Sequence, residues 1–240
     1  MYHDLAYLWP VVSPPEEYAV EAWHLREVIR ARLGPGRHTL LELGVGGGHV
    51  LSHLTRAFQA TAVDLSKDML ALSTQLNPGV PHHLGDMRTI RLEQTFDVVL
   101  VHDAINYMLT ETDLQAAFET ARVHLRRGGV LITAPDLFRE TFTGPAVQHW
   151  TQSRDDLEVT LIEYLDDPDP LDTTVESIFF YVIKEQGKLR VEQDRHISGI
   201  FPKSTWLRLM SDSGYIAEEV HYPPYEGGYG GNLVVGVLKP

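Results

Sequence analysis

The 240-residue chain has no cysteine. This excludes disulfides, thiolate nucleophiles and cysteine-ligated metals. It is also poor in positive charge: 20 Lys and Arg stand against 33 Asp and Glu, a net charge of −13. Holding nucleic acid requires a basic footprint that neutralises phosphates, so bulk charge argues against a nucleic-acid partner. No apolar run approaches the ~18 residues that span a bilayer, so no membrane partner is expected. Met1–Pro10 lacks a basic segment followed by an apolar core. No signal peptide is therefore read there, and the expected setting is cytoplasmic. No exposed apolar stripe stands out from the core, which leaves a homo-oligomer open. What is present is 43% hydrophobic residues, enough to fill a core. The length exceeds the roughly 150 residues of a soft per-domain prior, but α/β units run long, so one domain over 1–240 is expected.

The first half alternates short apolar runs with helical patterns, the order of a parallel sheet wound with helices. Strands are expected at Thr39–Leu43, Ala60–Asp64, Val80–Leu84, Phe96–Val101 and Val130–Ala134. The near-continuous apolar run of Phe96–Val101 suits a strand covered on both faces. Helices are expected over Gly46–Phe58, from an N-cap at Ser66 to about Leu76, and from a Thr110/Asp113 capping box to Arg126–Arg127. The texture then changes. Val159–Leu165, Thr173–Lys184 and Lys188–Ile197 are rich in β-formers and read as an antiparallel insertion, within a region of about 136–200. A helix follows Pro202 with the stripe Trp206, Leu209, Met210, and Tyr215–Val220 and Leu233–Leu238 close the sheet.

Four positions carry chemistry. Leu41-Glu42-Leu43-Gly44-Val45-Gly46-Gly47-Gly48 runs from a strand through a glycine turn into a helix. Glycines turn tightly and let a ligand approach without a Cβ in the way. Dinucleotides need Gly or Ala at the sixth position from Gly44, where this chain has His49. S-adenosylmethionine lies across the same turn, and Glu42 stands where a carboxylate can face its ammonium group. Asp64, at the end of the second strand, can accept ribose hydroxyls in either nucleotide class. Asp86 of Gly85-Asp86-Met87 could meet an adenine amino group, with Met87 over the ring or in the core. His102 and Asp103 of His102-Asp103-Ala104-Ile105-Asn106-Tyr107 follow the fourth strand, at the crevice where open α/β sheets bind ligands. The bland alternatives are a plain strand–helix turn, solvated loop acids and local turn polars. His82-His83 lacks the partner spacing of a metal site, so no metal is expected. Tyr222-Pro223-Pro224-Tyr225 is similar to an adenine N6-methyltransferase motif but lies between the last two strands, and is read as a loop, with Gly227–Gly231 adding freedom.

Together these positions resemble the class I S-adenosylmethionine-dependent methyltransferases. The closer likeness is to the deoxyaminosugar N,N-dimethyltransferases of macrolide biosynthesis. It is carried by Tyr2–Tyr7, Glu17–Ala22, Asp64–Leu70, Pro135–Phe142 and Gly230–Val237. The resemblance implies a Rossmann-like α/β fold: a mostly parallel seven-stranded sheet with its last strand antiparallel, and an inserted antiparallel β-layer that shapes the acceptor pocket. It implies that Glu42, Gly44, Gly46 and Gly48 hold the methionine end, Asp64 and Leu65 the ribose, Asp86 and Met87 the adenine. It places Met69 and His102 at the cofactor, with Tyr18. It further implies a lid over about residues 1–36, closing over the cofactor with Tyr2 or Tyr7.

The activity then implied is S-adenosylmethionine-dependent methylation of a small molecule, N-methylation of an aminosugar-like amine foremost. O- or carboxyl-methylation, a nicotinamide-dependent oxidoreductase and a non-catalytic binding domain are the alternatives. In-line transfer needs alignment rather than a covalent nucleophile, which agrees with the missing cysteine. Tyr7 or Tyr18 can face the sulfonium through cation–π attraction. An amine must lose its proton before attack. His102, Asp103 and His196 are the candidate catalytic groups, the histidines favoured because their ordinary pKa lies near neutral.

Overall fold

In the computed structural model, residues 4–224 and 230–240 are described. Eleven strands form two sheets among them. The larger sheet has the order β10-β11-β5-β4-β1-β2-β3. Its strands are β1 (Thr39–Leu43), β2 (Gln59–Asp64), β3 (His82–Leu84), β4 (Phe96–Val101), β5 (Leu125–Thr133), β10 (Tyr215–Pro224) and β11 (Gly230–Leu238). β1 pairs in parallel with both β2 and β4, β2 with β3, and β4 with β5. β11 alone runs against the rest, antiparallel to β5 and β10.

Chain order reverses between β1 and β4. In such a sheet the crevice beyond the strand ends at the reversal is the ligand site. Strand alternation sorts the core into two layers. Leu41, Leu43, Val99 and Val101 face α5 (Glu111–Val123) and α6 (Lys203–Asp212), around Phe118 and Trp206. Leu40, Val98 and Leu100 face α2 (Ala19–Leu33) and α3 (His49–Leu54), through Leu25, Ile29 and Leu51. Each such side chain is fully buried, worth about 1.5–3 kcal/mol of transfer free energy. Glu42 falls on the second face by the same alternation.

The smaller sheet is an antiparallel meander, β6 (Ala146–Arg154), β7 (Leu157–Asp166), β8 (Thr174–Glu185) and β9 (Lys188–Gly199), inserted between β5 and α6. Register builds rows on its inner face: Trp150–Leu161–Tyr181, and Leu165–Ser177–His196. Two short segments at the N-terminus, Ala6–Leu8 and α1 (Trp9–Val12), fit between the sheets. Leu8, Val11 and Val12 pack on Val159, Leu161, Tyr181 and Ile183. The Trp150 indole N–H donates to the Val12 carbonyl at 3.1 Å.

Several boundaries differ from the sequence reading. The helix after β1 spans only His49–Leu54, because Gly44–Gly48 is spent on the turn. α4 (Lys67–Leu76) keeps its predicted cap, Ser66 Oγ accepting from the Met69 amide at 3.2 Å. α5 ends at Val123, not Arg126–Arg127. His124 stops it, accepting from the Leu92 amide at 2.9 Å through Nε2 while Nδ1 meets the Thr120 carbonyl at 2.7 Å. β5 consequently begins at Leu125, which pairs with Phe96. β6 was not expected. It carries Gln148, His149, Gln152 and Ser153 without a run of apolar side chains. The stretch read as a loop at 222–224 is the end of β10, and Gly230 and Gly231 lie in β11. Tyr2, Tyr225 and 227–229 lie outside the described residues. No helix among the described residues is long and apolar enough to cross a membrane.

Candidate active site

Two adjoining cavities open at the crevice. The larger, about 360 Å³, runs over Glu42, Gly44, Gly46, Asp64, Leu65, Met69, Asp86, Met87, His102 and Asp103. Residues far apart in sequence converge here because β1, β2 and β4 end together. The volume lies within the range of small-molecule sites, about 300–1,000 Å³. The second, about 230 Å³, lies under the inserted sheet and is lined by Asp103, Asp136, Glu163, Ser177, Phe179 and His196, among others. Trp9, Asp103 and Tyr107 line both, so they form the shared wall.

The glycine turn is shaped to admit a ligand. Gly44 has φ +78°, and a Cβ there would come 2.3 Å from Ala104 Cβ and 3.0 Å from Met87 Cε. Four of the turn's amides are already engaged: Gly44 and Val45 donate to the Val63 carbonyl at 2.8 and 3.0 Å, Gly48 to Val45 at 2.9 Å and Gly46 to Asp64 Oδ2 at 2.7 Å. A dinucleotide pyrophosphate would need such amides. What the turn offers instead is a carboxylate. Glu42 is 2% exposed, and its Oε2 is buried without a hydrogen-bond partner. Burial pushes its pKa up to about 8, against the pull of His102. A buried, unsatisfied carboxyl beside the turn fits a cationic ligand group, which would restore its partner.

Asp64 is doubly held, accepting from Gly46 and, at 2.8 Å, from the Ser66 amide. Burial raises its pKa all the same. A carboxylate has further lone pairs, so Asp64 can still accept a hydroxyl. Asp86 is clasped by Arg88, whose Nη2 donates at 2.7 Å and whose Nε lies 3.1 Å from each oxygen. That guanidinium holds the Asp86 carboxyl below its ordinary range. Met69 is buried beneath the turn, and Leu65 is exposed at its rim. Tyr18 reaches the cavity with its hydroxyl 2.6 Å from Ser13 Oγ. Two expected residues are not at the cavity. Tyr7 is exposed at the inserted sheet, hydrogen-bonded to Arg190. Gly48 faces α4, its carbonyl accepting from Asn77 Nδ2 at 3.0 Å.

His102 and His196 stand in opposite surroundings. His102 is 4% exposed; its Nε2 contacts Glu21 and its Nδ1 lies 3.2 Å from Asp103 Oδ1. Burial opposes its charge, but Glu21 and Asp103 outweigh burial and hold it protonated well above the ordinary range. An imidazolium between two carboxylates is a donor, not a proton acceptor. Burial would raise Asp103, yet that imidazolium overrides it and keeps Asp103 ionised. Burial lowers His196 to about 4, so it is neutral. Its Nδ1 lies 2.8 Å from the Tyr107 hydroxyl and its Nε2 3.0 Å from Asp194, so both ring nitrogens are engaged.

The sequence reading missed several wall residues. Trp9 stacks on His49, centroids 5.9 Å apart at 19°. Burial lowers His49 to about 4 and leaves it neutral. Asp136 follows the C-terminal end of β5; Asn106 Nδ2 donates to it at 2.7 Å. Burial, then the charge of Asp103, raises its pKa well above the ordinary range. The strand-end rule applied to β5 would have found Asp136. Glu163 is 5% exposed on β7 and accepts from Ser177 Oγ at 2.7 Å. No local signal marks Glu163 or Glu21. His82 bonds Ser73 Oγ and the Val80 carbonyl, each at 2.8 Å.

Comparison with known proteins bears on this geometry. Residues 41–133 match the model of a family described as a methyltransferase domain. Over 98% of its length the chain is 31% identical to dTDP-3-amino-3,4,6-trideoxy-alpha-D-glucopyranose N,N-dimethyltransferase of Streptomyces venezuelae, across 95% of that protein. The crystal structure of Streptomyces venezuelae DesVI shares its fold at a TM-score of 0.83 and 28% identity, over 92% of each chain. CalS10, an amino pentose methyltransferase from Micromonospora echinaspora solved with S-adenosylmethionine bound, gives a TM-score of 0.80 at 25% identity, over 92% of this chain and 91% of that one.

Proposed function

Because this chain belongs to the family of S-adenosylmethionine-dependent methyltransferases that includes the aminosugar N,N-dimethyltransferases, we propose that it methylates the amino nitrogen of an aminosugar-like small molecule. The observation that carries this reading is the shared wall. Trp9, Asp103 and Tyr107 separate a cavity fit for the cofactor from one fit for an amine. When bound, S-adenosylmethionine supplies a methyl group on a cationic sulfur, which an aligned nucleophile takes by in-line displacement.

Each residue then has a task. Glu42 would take the cofactor's ammonium group, Asp64 the ribose hydroxyls, and Met87 the adenine face. Trp9 and Tyr18 bring aromatic faces to the same cavity, where they favour a cation. In the second cavity Asp103 stays ionised and accepts an N–H from the amine, which orients the nitrogen. Asp136, in its ionised form, takes the proton the amine must lose, and its raised pKa makes it the stronger base of the two. The pair suits that division of labour, since its surroundings push the two carboxyls in opposite directions. Residues 1–36 act as a lid, a reading supported by α1, which packs on the inserted sheet while Trp9 reaches the cofactor cavity.

The test is methyl transfer followed by mass spectrometry across aminosugars and their hydroxyl counterparts. Transfer to the amines, twice in succession, is expected. Transfer confined to hydroxyl or carboxyl acceptors would refute the amine assignment.

A further inference from the structure

The mechanism above makes no use of Glu21, yet this acid is 9% exposed in the middle of the fold. It lies in the first turn of α2, far in sequence from the loop after β4, and its carboxylate meets His102 Nε2. The opposite nitrogen of the same ring lies 3.2 Å from Asp103 Oδ1. The result is a continuous chain of groups, Glu21–His102–Asp103, from a buried helix to the wall between the cavities. Only its last member is open, the Asp103 side chain being 47% exposed.

We infer that Glu21 is a positioning residue for methyl transfer, acting through His102 to hold Asp103 at the wall shared by the two cavities. The inference rests on the reading that Asp103 meets the acceptor amine. A neutral imidazole has one N–H, so it could serve Glu21 or Asp103 but not both. Glu21 keeps the second proton on the ring, and the second N–H is what anchors Asp103. Among the described residues, the acidic groups facing His102 include Glu21 from α2, Glu42 from β1, Asp136 after β5, and Asp103 beside it. Glu21 and Asp103 contact the ring directly, one at each nitrogen. Burial pushes Glu42 up to about 8, so it contributes less charge at neutral pH.

The test uses the full chain labelled with 15N-histidine, the His102 signals being assigned by their loss in His102→Gln. At pH 8 the wild-type ring is expected to carry two protons, and in Glu21→Gln only one. Turnover of Glu21→Gln at pH 8 should fall about tenfold, the scale for losing a partner that orients a functional group. Its ratio to wild type should climb toward one as pH falls to 6 and the ring regains its proton. Affinity for S-adenosylhomocysteine should stay within about threefold, since Glu42 and Asp64 are untouched.

A turnover ratio that does not change with pH would show a merely structural role and overturn the inference. So would a neutral wild-type imidazole at pH 8, a measurement that decides the matter even if the variant does not fold. Full activity in Glu21→Gln beside an inactive Asp103→Asn overturns this inference alone. Wild-type turnover in Asp103→Asn overturns the role given to Asp103 itself, and the positioning role with it, while leaving the imidazolium signal in place.

Discussion

The two cavities are built on opposite principles. The cofactor cavity stands on strand ends of a sheet covered on both faces, with Leu40, Leu41, Leu43 and Leu100 fully buried beneath it. Its shape is set by backbone: a turn that tolerates no Cβ at Gly44 and amides that close on Val63 and Asp64. The second cavity, where we place the acceptor, stands under an antiparallel sheet with one face in solvent, where Val147, Leu189 and Val191 are exposed. Its shape is set by alternate side chains, Leu165, Ser177 and His196 in one row. A ligand common to a whole superfamily can be met by backbone, which constrains few residue types. A ligand particular to one enzyme is met by side chains that can change without moving a strand.

The sharpest way to break this division is to damage each cavity alone. Asp136→Asn keeps the hydrogen-bonding shape but cannot take a proton, so turnover should fall by about 10²–10⁴, the usual reach of a general base. Calorimetry should find unchanged affinity for S-adenosylhomocysteine. A loss of affinity instead would mean that the cavities are one site. On the other side, Glu42→Gln should weaken S-adenosylhomocysteine by about 10²-fold, the roughly 2–5 kcal/mol lost when one partner of a buried charge pair is truncated.

The pH dependence of binding sharpens the same contrast. With its pKa near 8, Glu42 is largely protonated at pH 7 in the free protein, yet an ammonium needs the carboxylate. Binding must therefore release a proton. Affinity for S-adenosylhomocysteine should rise between pH 6 and 8, by up to about tenfold per unit, and flatten above. For the ligand-free fold the sign is opposite: a carboxyl raised on folding costs stability as pH climbs from 4.5 through 8. Glu42→Gln should thus flatten the binding profile and raise the melting temperature at pH 8.

The same contrast explains what could be read from the sequence. The β1 turn, Asp64 and the positions of the first-half strands were legible because glycine and an apolar run report local backbone demands. Asp136 was within reach, being at a strand end. Glu21 and Glu163 were not, because their roles come from tertiary neighbours: His102 lies on another element, and Ser177 lies across a strand pair. β6 was missed for a related reason. Its half-exposed face alternates Ala146 and Trp150 with Gln148 and Gln152, so the pleat leaves no hydrophobic period. The histidines stood out because an ordinary pKa near neutral suits a base, whereas only tertiary neighbours show that carboxylates on both sides hold His102 protonated.

The smallest expected effect separates backbone demand from site demand. Gly187 has φ +74°, nearly that of Gly44, and with Gln186 at φ +50° it forms the two-residue turn between β8 and β9. Both central residues at positive φ suit the hairpin twist. Nothing lies within 4 Å of a Cβ at Gly187, whereas one at Gly44 would strike Ala104. Gly187→Ala and Gly44→Ala therefore share the conformational cost, about 1–2 kcal/mol, and differ only in what the methyl meets. Gly187→Ala should lower the melting temperature by about 2–4 °C, the shift expected for about 1 kcal/mol at this size, and leave turnover alone. Gly44→Ala must in addition push the segment that carries His102 and Asp103, so it should lose cofactor affinity and turnover together. If the two variants lost the same activity, strain in the backbone would matter rather than access to the turn, and the claim that the cofactor cavity is shaped by the missing Cβ would fail.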